Sequence, residues 1–331
     1  VSRKGLPIPQ IVPLKKPLSK RQWIIPAVIV IVLVCLIPIL VKNPYQLDLV
    51  IWIFLSTIFA TCVYQVAVVN RILFGVSAFI GIGAYISTVL VVHGMSFWLA
   101  LPLAGLASAG VAYVIGYPLL RVGGIYFAII TWCFAEVLVT FYKIVPGFGG
   151  IQGFHYIPSP SIFGNEFSGP VPYFYLILGL MAVTLGFFYR LRKSRFGQDL
   201  KVIGSSDTLA RALGINVPRY RLLCFAIAGF FIGIGGSFYA HYMSYIEPYR
   251  FGITLSSQMF AFAVIGGLGN LWGGLIGSTA MILIPEGLHA FEYMRQVIYG
   301  AVIIFVMVLM PGGIISLPRQ IRLWRQGKIK E

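Results

Sequence analysis

Apolar residues along this 331-residue chain come in long uninterrupted blocks, set apart by short polar or Gly/Pro punctuation. Several blocks reach the eighteen or so residues needed to cross a bilayer as a helix. Broken at charges, Pro and Gly, the pattern predicts helices over 23–41, 47–69, 72–92, 97–120, 125–145, 171–191, 222–240, 254–269, 271–288 and 297–316. The expected fold class is therefore all-α, a polytopic membrane protein with about 10 transmembrane helices. Gly269, Gly273 and Gly274 leave the stretch 254–288 open to two forms, a pair of short spans or a broken, partly re-entrant element.

Charge gives an independent check on that assignment. Arg3, Lys4, Lys15, Lys16, Lys20 and Arg21 lie in the first 22 residues, Arg71 and Arg121 in short turns, eight Lys or Arg between Arg190 and Arg221, and five beyond position 318. Ten spans with both termini cytoplasmic place all of these on one side, and leave Lys42, Lys143, Arg250 and Arg295 singly on the other, as the positive-inside rule requires. The expected organisation is a cytoplasmic tail at 1–22, a membrane domain at 23–316 with a cytoplasmic loop at 192–221 and an outer loop at 146–170, and a basic tail at 317–331. The block after residue 22 has no small-residue cleavage site, so it reads as a retained span rather than a removable signal.

Composition removes whole classes of function. Charged residues are 10% and hydrophobic ones 59%, against about 25% charged in soluble domains. The net charge of +16 is confined to tails and loops, which fits a membrane surface and not nucleic acid. Cys35, Cys62, Cys133 and Cys224 all lie in apolar blocks, and His93, His155, His241 and His289 show no ligand spacing, so neither a metal site nor a catalytic set is expected. A Walker A motif, GxxxxGK(S/T), is also absent, so this chain does not itself hydrolyse ATP.

Two regions carry the candidate chemistry. In the loop 192–221, Ser206 or Asp207 is placed to cap a short helix whose Leu209, Ala210 and Leu213 make a narrow apolar face, and Gly214 stops it. Such a helix fits a groove on a partner protein, or equally the headgroups of an anionic leaflet. In the membrane, Gly75, Gly81 and Gly83 punctuate the third span, Gly229, Gly233, Gly235 and Gly236 the seventh, and Gly266, Gly267 and Gly269 the eighth. Close helix packing explains these glycines. So does a substrate site between inverted halves, in which the third and eighth spans correspond. Glu136 is the acidic residue near mid-span, about 16 Å in from Ile125 at 1.5 Å per residue. It either accepts a hydrogen bond from a neighbouring helix or partner subunit or helps a zwitterion pass, with Thr131 and Phe127 on the same helix. The outer loop 146–170, without Lys or Arg, reads as a compact loop.

The segment RKSRFGQDLKVIGSSDTLARALGINVPRYRLLCFAIAGFFIGIGGSFYA at 192–240 resembles the central part of the branched-chain amino acid ABC permease family, its LivM-like members. LFGVSAFIGIGAYIS at 73–87, GGIYFAIITWCFAEV at 123–137, FGGIQG at 148–153 and AVIGGLGNLWGGLIG at 263–277 resemble further family blocks, in the family's order. The chain departs from the pattern at Gly204, where many members have Arg, and at Ser205, Ser206, Phe148, Asn270 and Gly274. The resemblance implies a permease subunit of an ABC importer for branched-chain amino acids or a related small solute, in a bacterial or archaeal inner membrane. It places ATPase coupling on Ser206, Asp207, Leu209, Ala210, Arg211, Leu213 and Gly214. The translocation pathway is expected at Gly81, Gly83, Phe127, Thr131, Glu136, Gly266 and Gly267. Partners implied are a homologous permease or a second copy of this chain, two cytoplasmic ATPase subunits that hold ATP and Mg, an extracytoplasmic substrate-binding protein and membrane lipid, with no cofactor on this chain and no nucleic acid. The competing reading is an ATP-independent transporter or channel, which would ordinarily hold more ionisable residues in the membrane than Glu136.

Overall fold

A computed structural model of the chain describes residues 43–162 and 165–286, together with Pro38, Gly300, Ile304 and 313–316. Two compact units divide the chain, Val1–Asn43 and Pro44–Glu331, and nearly all described residues belong to the second. The expected spans at 23–41 and 297–316 and the two basic tails therefore lie almost wholly outside the described residues.

Ten α-helices are present among the described residues: α1 Pro44–Ala67, α2 Val76–Val92, α3 Phe97–Leu119, α4 Ile125–Ile144, α5 Pro170–Lys193, α6 Arg195–Ser205, α7 Asp207–Ala212, α8 Val217–Met243, α9 Ile253–Gly266 and α10 Gly273–Glu286. Five of them, α1, α3, α4, α5 and α8, are long and apolar enough to cross a membrane. The protein is a multi-pass, mostly helical membrane protein. Its strands are two-residue pieces in the outer segments: β1 Phe154–His155 pairs with β4 Tyr245–Ile246, and β2 Ser161–Ile162 with β3 Asn165–Glu166. They tie the loop 146–170 down, as expected of a compact loop.

Helices α1, α2 and α8 form the centre and are buried on almost every face, while α3, α4 and α5 turn apolar faces outward. Lipid gives no hydrophobic drive between helices, so contact depends on close fit. The glycines supply it. A Cβ built on Gly83 of α2 would lie 2.1 Å from the Gly233 carbonyl oxygen of α8, and one on Gly233 would lie 2.5 Å from Ser108 Cβ of α3. Three helices thus cross at one bare strip of backbone. Gly229 with Gly233, the GxxxG pair, faces Ala112 and Ser108.

Helices α9 and α10 resolve the two forms left open over 254–288. Each has 14 residues, about 21 Å of rise and short of the roughly 30 Å hydrocarbon core. They form an antiparallel hairpin: Gly266 faces Gly273 and Gly277 approaches the Phe262 carbonyl. Helix α10 then runs back along α1, with Gly274 against Thr61, Ser278 Oγ 2.8 Å from Thr57 Oγ1, and Glu286 accepting from the Tyr45 hydroxyl. The start of α9 and the end of α10 therefore lie at the same end of the hairpin.

The crossing at Gly233 predicts a clear asymmetry between two glycines. Gly233→Leu should lower stability by about 1–3 kcal/mol through overpacking, whereas Gly179→Leu on α5, where nothing lies within 4 Å, should change it by less than about 0.5 kcal/mol. Melting curves of the two detergent-solubilised variants read the difference directly.

Candidate functional site

Hydropathy predicts one helix over 72–92, yet α2 begins only at Val76, because residues 72–75 are not helical. Two of their backbone donors are met by a side chain. The N–H groups of Phe74 and Gly75 donate to Thr131 Oγ1 of α4 at 3.4 and 3.3 Å, and the Thr131 hydroxyl donates in turn to the Ala128 carbonyl at 2.9 Å. In the first turn of α2 the Ser77 N–H donates to Ser256 Oγ of α9 at 3.1 Å, and the Ser256 hydroxyl donates to Ser77 Oγ at 2.7 Å. Phe251, just before α9, lies against Gly81, and Phe260 within α9 against Phe74, so the two helices run in opposite directions with only their N-terminal turns overlapping.

Helix α9 has its own acceptor. Its first N–H, that of Ile253, donates to Glu136 Oε1 of α4 at 3.1 Å. The carboxylate faces the positive end of the helix dipole, a favourable place for a negative charge. Of the two readings of Glu136, the bond to a neighbouring helix is the one the geometry contains. Thr131 and Glu136 stand six and eleven residues into α4, about 9 and 16 Å from its start. Two opposed helix N-termini therefore meet on one stretch of α4 near mid-membrane. Glu136 and Thr140 of α4, and Thr254 and Gln258 of α9, are exposed on this chain at that level.

The expected pathway residues separate into groups. Thr131 and Glu136 hold the junction, and Gly81 lies beside it under the ring of Tyr142. Gly83 is flush with α8, and Phe127 is fully buried with its ring against Phe225, so both pack the core. Gly266 and Gly267 lie at the far end of α9, in the hairpin turn, about 20 Å from Ile253. Sequence reasoning missed Ser77 and Ser256. A signal was present: Phe74-Gly75-Val76-Ser77 and Phe251-Gly252-Ile253-Thr254-Leu255-Ser256 each place Phe-Gly before a helix and Ser in its first turn.

The loop 192–221 holds two helices rather than one. Ser194 Oγ caps α6 through Gly197 N–H, and Ser206 Oγ caps α7 through Leu209 N–H at 3.3 Å. Helix α7 ends in a Schellman motif: Ile215 N–H donates to the Ala210 carbonyl, Gly214 N–H to that of Arg211, and Gly214 has φ +76°. The single apolar face expected for Leu209, Ala210 and Leu213 is divided. Ala210 is buried with Leu200, Ile203, Val217, Cys224 and Val69, the last just past α1. Leu209 and Leu213 are 50% and 63% exposed, with Arg211 beside them. The reason is the short helix itself, which turns its inner residue to the protein and its flanking ones out.

Asp207 does not cap; it is held by Arg221. The guanidinium of Arg221, at the start of α8, donates to both Asp207 carboxylate oxygens at 2.9 and 2.6 Å, and its Nε donates to the Val69 carbonyl at 3.3 Å. Arg71 lies near, donating to the carbonyls of Asn70 and Leu120, and bridging by backbone to Gly124 ahead of α4. Burial and the nearby charge of Arg221 push its pKa down, against the pull of Asp207. One carboxylate thus joins α7 to the end of α1 and the start of α8. Arg221 was not foreseen, since its partner lies fourteen residues away.

The fold and junction define a class: a multi-pass helical membrane protein with a non-helical break ahead of α2 and a docked pair of short helices between α5 and α8. Residues 45–307 match the family described as branched-chain amino acid transport system / permease component, and the chain belongs to that family. It is similar to the high-affinity branched-chain amino acid transport system permease protein LivM of Salmonella typhimurium, 28% identical over 281 residues, 77% of this chain and 66% of that protein. The LivM protein of Escherichia coli is 27% identical over 271 residues, 74% and 64% of the two chains. The permease protein LivH of Escherichia coli is 29% identical over 144 residues, 43% and 45% of the two chains. The matched region is about two thirds of the length of the LivM relatives. No solved structure matches the chain.

Replacing Asp207 by Asn should leave two guanidinium groups side by side without their shared counter-ion. With the Asp207 side chain 42% exposed, the expected loss is about 1–2 kcal/mol, below that of a fully buried pair. Limited proteolysis should show faster cleavage between 205 and 216 in this variant, and slower cleavage again in Asp207→Glu.

Proposed function

We propose that this chain is the transmembrane permease subunit of an ABC importer for branched-chain amino acids or a related small solute, in a bacterial inner membrane. The observation that carries the reading is the double-faced helix α7: Ala210 and Asp207 fix it to the membrane domain, while Leu209, Arg211 and Leu213 are exposed. A small apolar pair on a short, capped helix suits a groove of an ATPase subunit. ATP and Mg then belong to two such partner subunits, and the energy enters through residues 206–214.

The attachment of α7 leads directly to the junction. Arg221 holds the Val69 carbonyl, and Arg71 opens the segment 71–77, in which Phe74 and Gly75 are bonded to Thr131 and Ser77 to Ser256. A displacement of α7 reaches the start of α2 within six residues. Movement there would part the opposed N-termini and open a passage along α4. The exposed Glu136, Thr140, Thr254 and Gln258 would not face lipid, since polar side chains at this depth seek protein or water. They suit a passage wall shared with a second permease, whether a homologue or another copy of this chain, with solute delivered outside by a binding protein. The names of the similar proteins support the branched-chain amino acid as solute.

Leu213→Asp and Leu209→Asp test the coupling. Each should insert and fold as wild type, because both positions are exposed, yet lower solute-stimulated ATP hydrolysis and uptake about tenfold or more in the assembled transporter. Undiminished stimulation would remove α7 from the coupling path, and uptake that persists without ATP would favour an ATP-independent transporter instead.

A further inference from the structure

We propose that the hydroxyls of Tyr85 and Tyr142 form a binding station on the outer side of the junction, and that it takes the carboxylate of a small amino acid in transit. The inference rests on the permease reading and gives it a place and a chemistry.

Tyr85 lies on α2, eight residues and about 12 Å beyond Ser77, and Tyr142 on α4, six residues and about 9 Å beyond Glu136. Their rings stack, centroids 4.1 Å apart and planes 18° from parallel. Phe251, Phe148 and Phe154 surround Tyr85 at 5.7, 5.8 and 6.2 Å, and the Tyr142 ring and hydroxyl lie over Gly81, where a Cβ would be 3.3 Å from the hydroxyl oxygen. Gly81 leaves room for that ring at the foot of the cluster.

Both side chains are buried, 0% and 3% exposed, and neither hydroxyl has a hydrogen-bond partner among the described residues. An unpaired buried hydroxyl costs about 1–3 kcal/mol. Phenylalanine would fill the same space without that cost, and the chain carries 25 of them, four around this pair. Two unpaired hydroxyls on stacked rings call for a partner that comes and goes. The two O–H groups are donors, which matches an acceptor-rich carboxylate. Phenylalanine rings match a branched apolar side chain, and the carboxylate of Glu136, further in, is the better place for an ammonium group. Hydrogen bonding alone is required, with no proton transferred. The station is closed in this state and opens as α2 and α4 part.

The test uses Tyr85→Phe, Tyr142→Phe and the double variant in the full transporter in proteoliposomes, with leucine as probe. Wild-type uptake that needs ATP is scored first. Its absence overturns the importer reading alone, and the variants are then compared on whichever solute the wild type carries. The double variant should lose about tenfold or more of the uptake rate at saturating solute, as expected for lost bonds to a charged group. Its solute-free ATPase rate should be unchanged and its melting temperature equal or higher, because the hydroxyls have no partner at rest. Wild-type uptake by the double variant, or a fall in melting temperature that accounts for the lost uptake, overturns the proposal.

Discussion

Inside a bilayer every backbone N–H and C=O has to find its partner within the protein, and the architecture depends on how this chain meets that demand where its helices stop short. Residues 72–75 and the segment before Ile253 leave helical geometry at membrane depth. Thr131, Ser256 and Glu136 replace the missing helical partners. Two of the three come from α4, so α4 is the support against which both broken helices are set. Side-chain hydrogen bonds can exchange partners at far less cost than the continuous ladder of a helix, which makes this junction the part of the membrane domain best able to move.

The rest of the molecule is arranged to keep that mobility local. Gly83, Gly233 and Ser108 bring α2, α8 and α3 into backbone contact, so α2 shifts together with α8 beyond its first turn. At the cytoplasmic end Arg221 ties the same α8 to α7 and to the end of α1. On the proposed reading, force applied at α7 would be delivered to a rigid block at one end and to the non-helical segment at its edge. This division between a close-packed body and a few exchangeable hydrogen bonds suits the proposed role of a subunit driven from outside.

Much of the body was legible from sequence because block length reports burial in lipid. The described helices fall within a few residues of the expected spans from 47 to 288, and the family blocks at 73–87 and 123–137 contain most of the junction. What stayed hidden was conformation within a block. Ile72, Leu73 and Phe74 are apolar whether helical or extended, so hydropathy ran the third span through the break. Composition likewise could not separate Gly83, pressed on Gly233, from Gly81, beneath Tyr142. The same limit applied to α7, where Leu209, Ala210 and Leu213 form one stripe in projection. The pairing of Asp207 with Arg221 and the packing of Ala210 against Val69 and Cys224 determine which side of that helix faces inward.

The meeting of the α2 and α9 N-termini can be measured with Ser77 and Ser256 both replaced by Cys, in a chain whose Cys35, Cys62, Cys133 and Cys224 have been removed. With the two native oxygens 2.7 Å apart, mild oxidation of the inserted transporter should form a disulfide in high yield, stop uptake, and release it again on reduction. Failure to cross-link in inserted, folded protein, or full uptake by the cross-linked form, would contradict a junction that opens at this point.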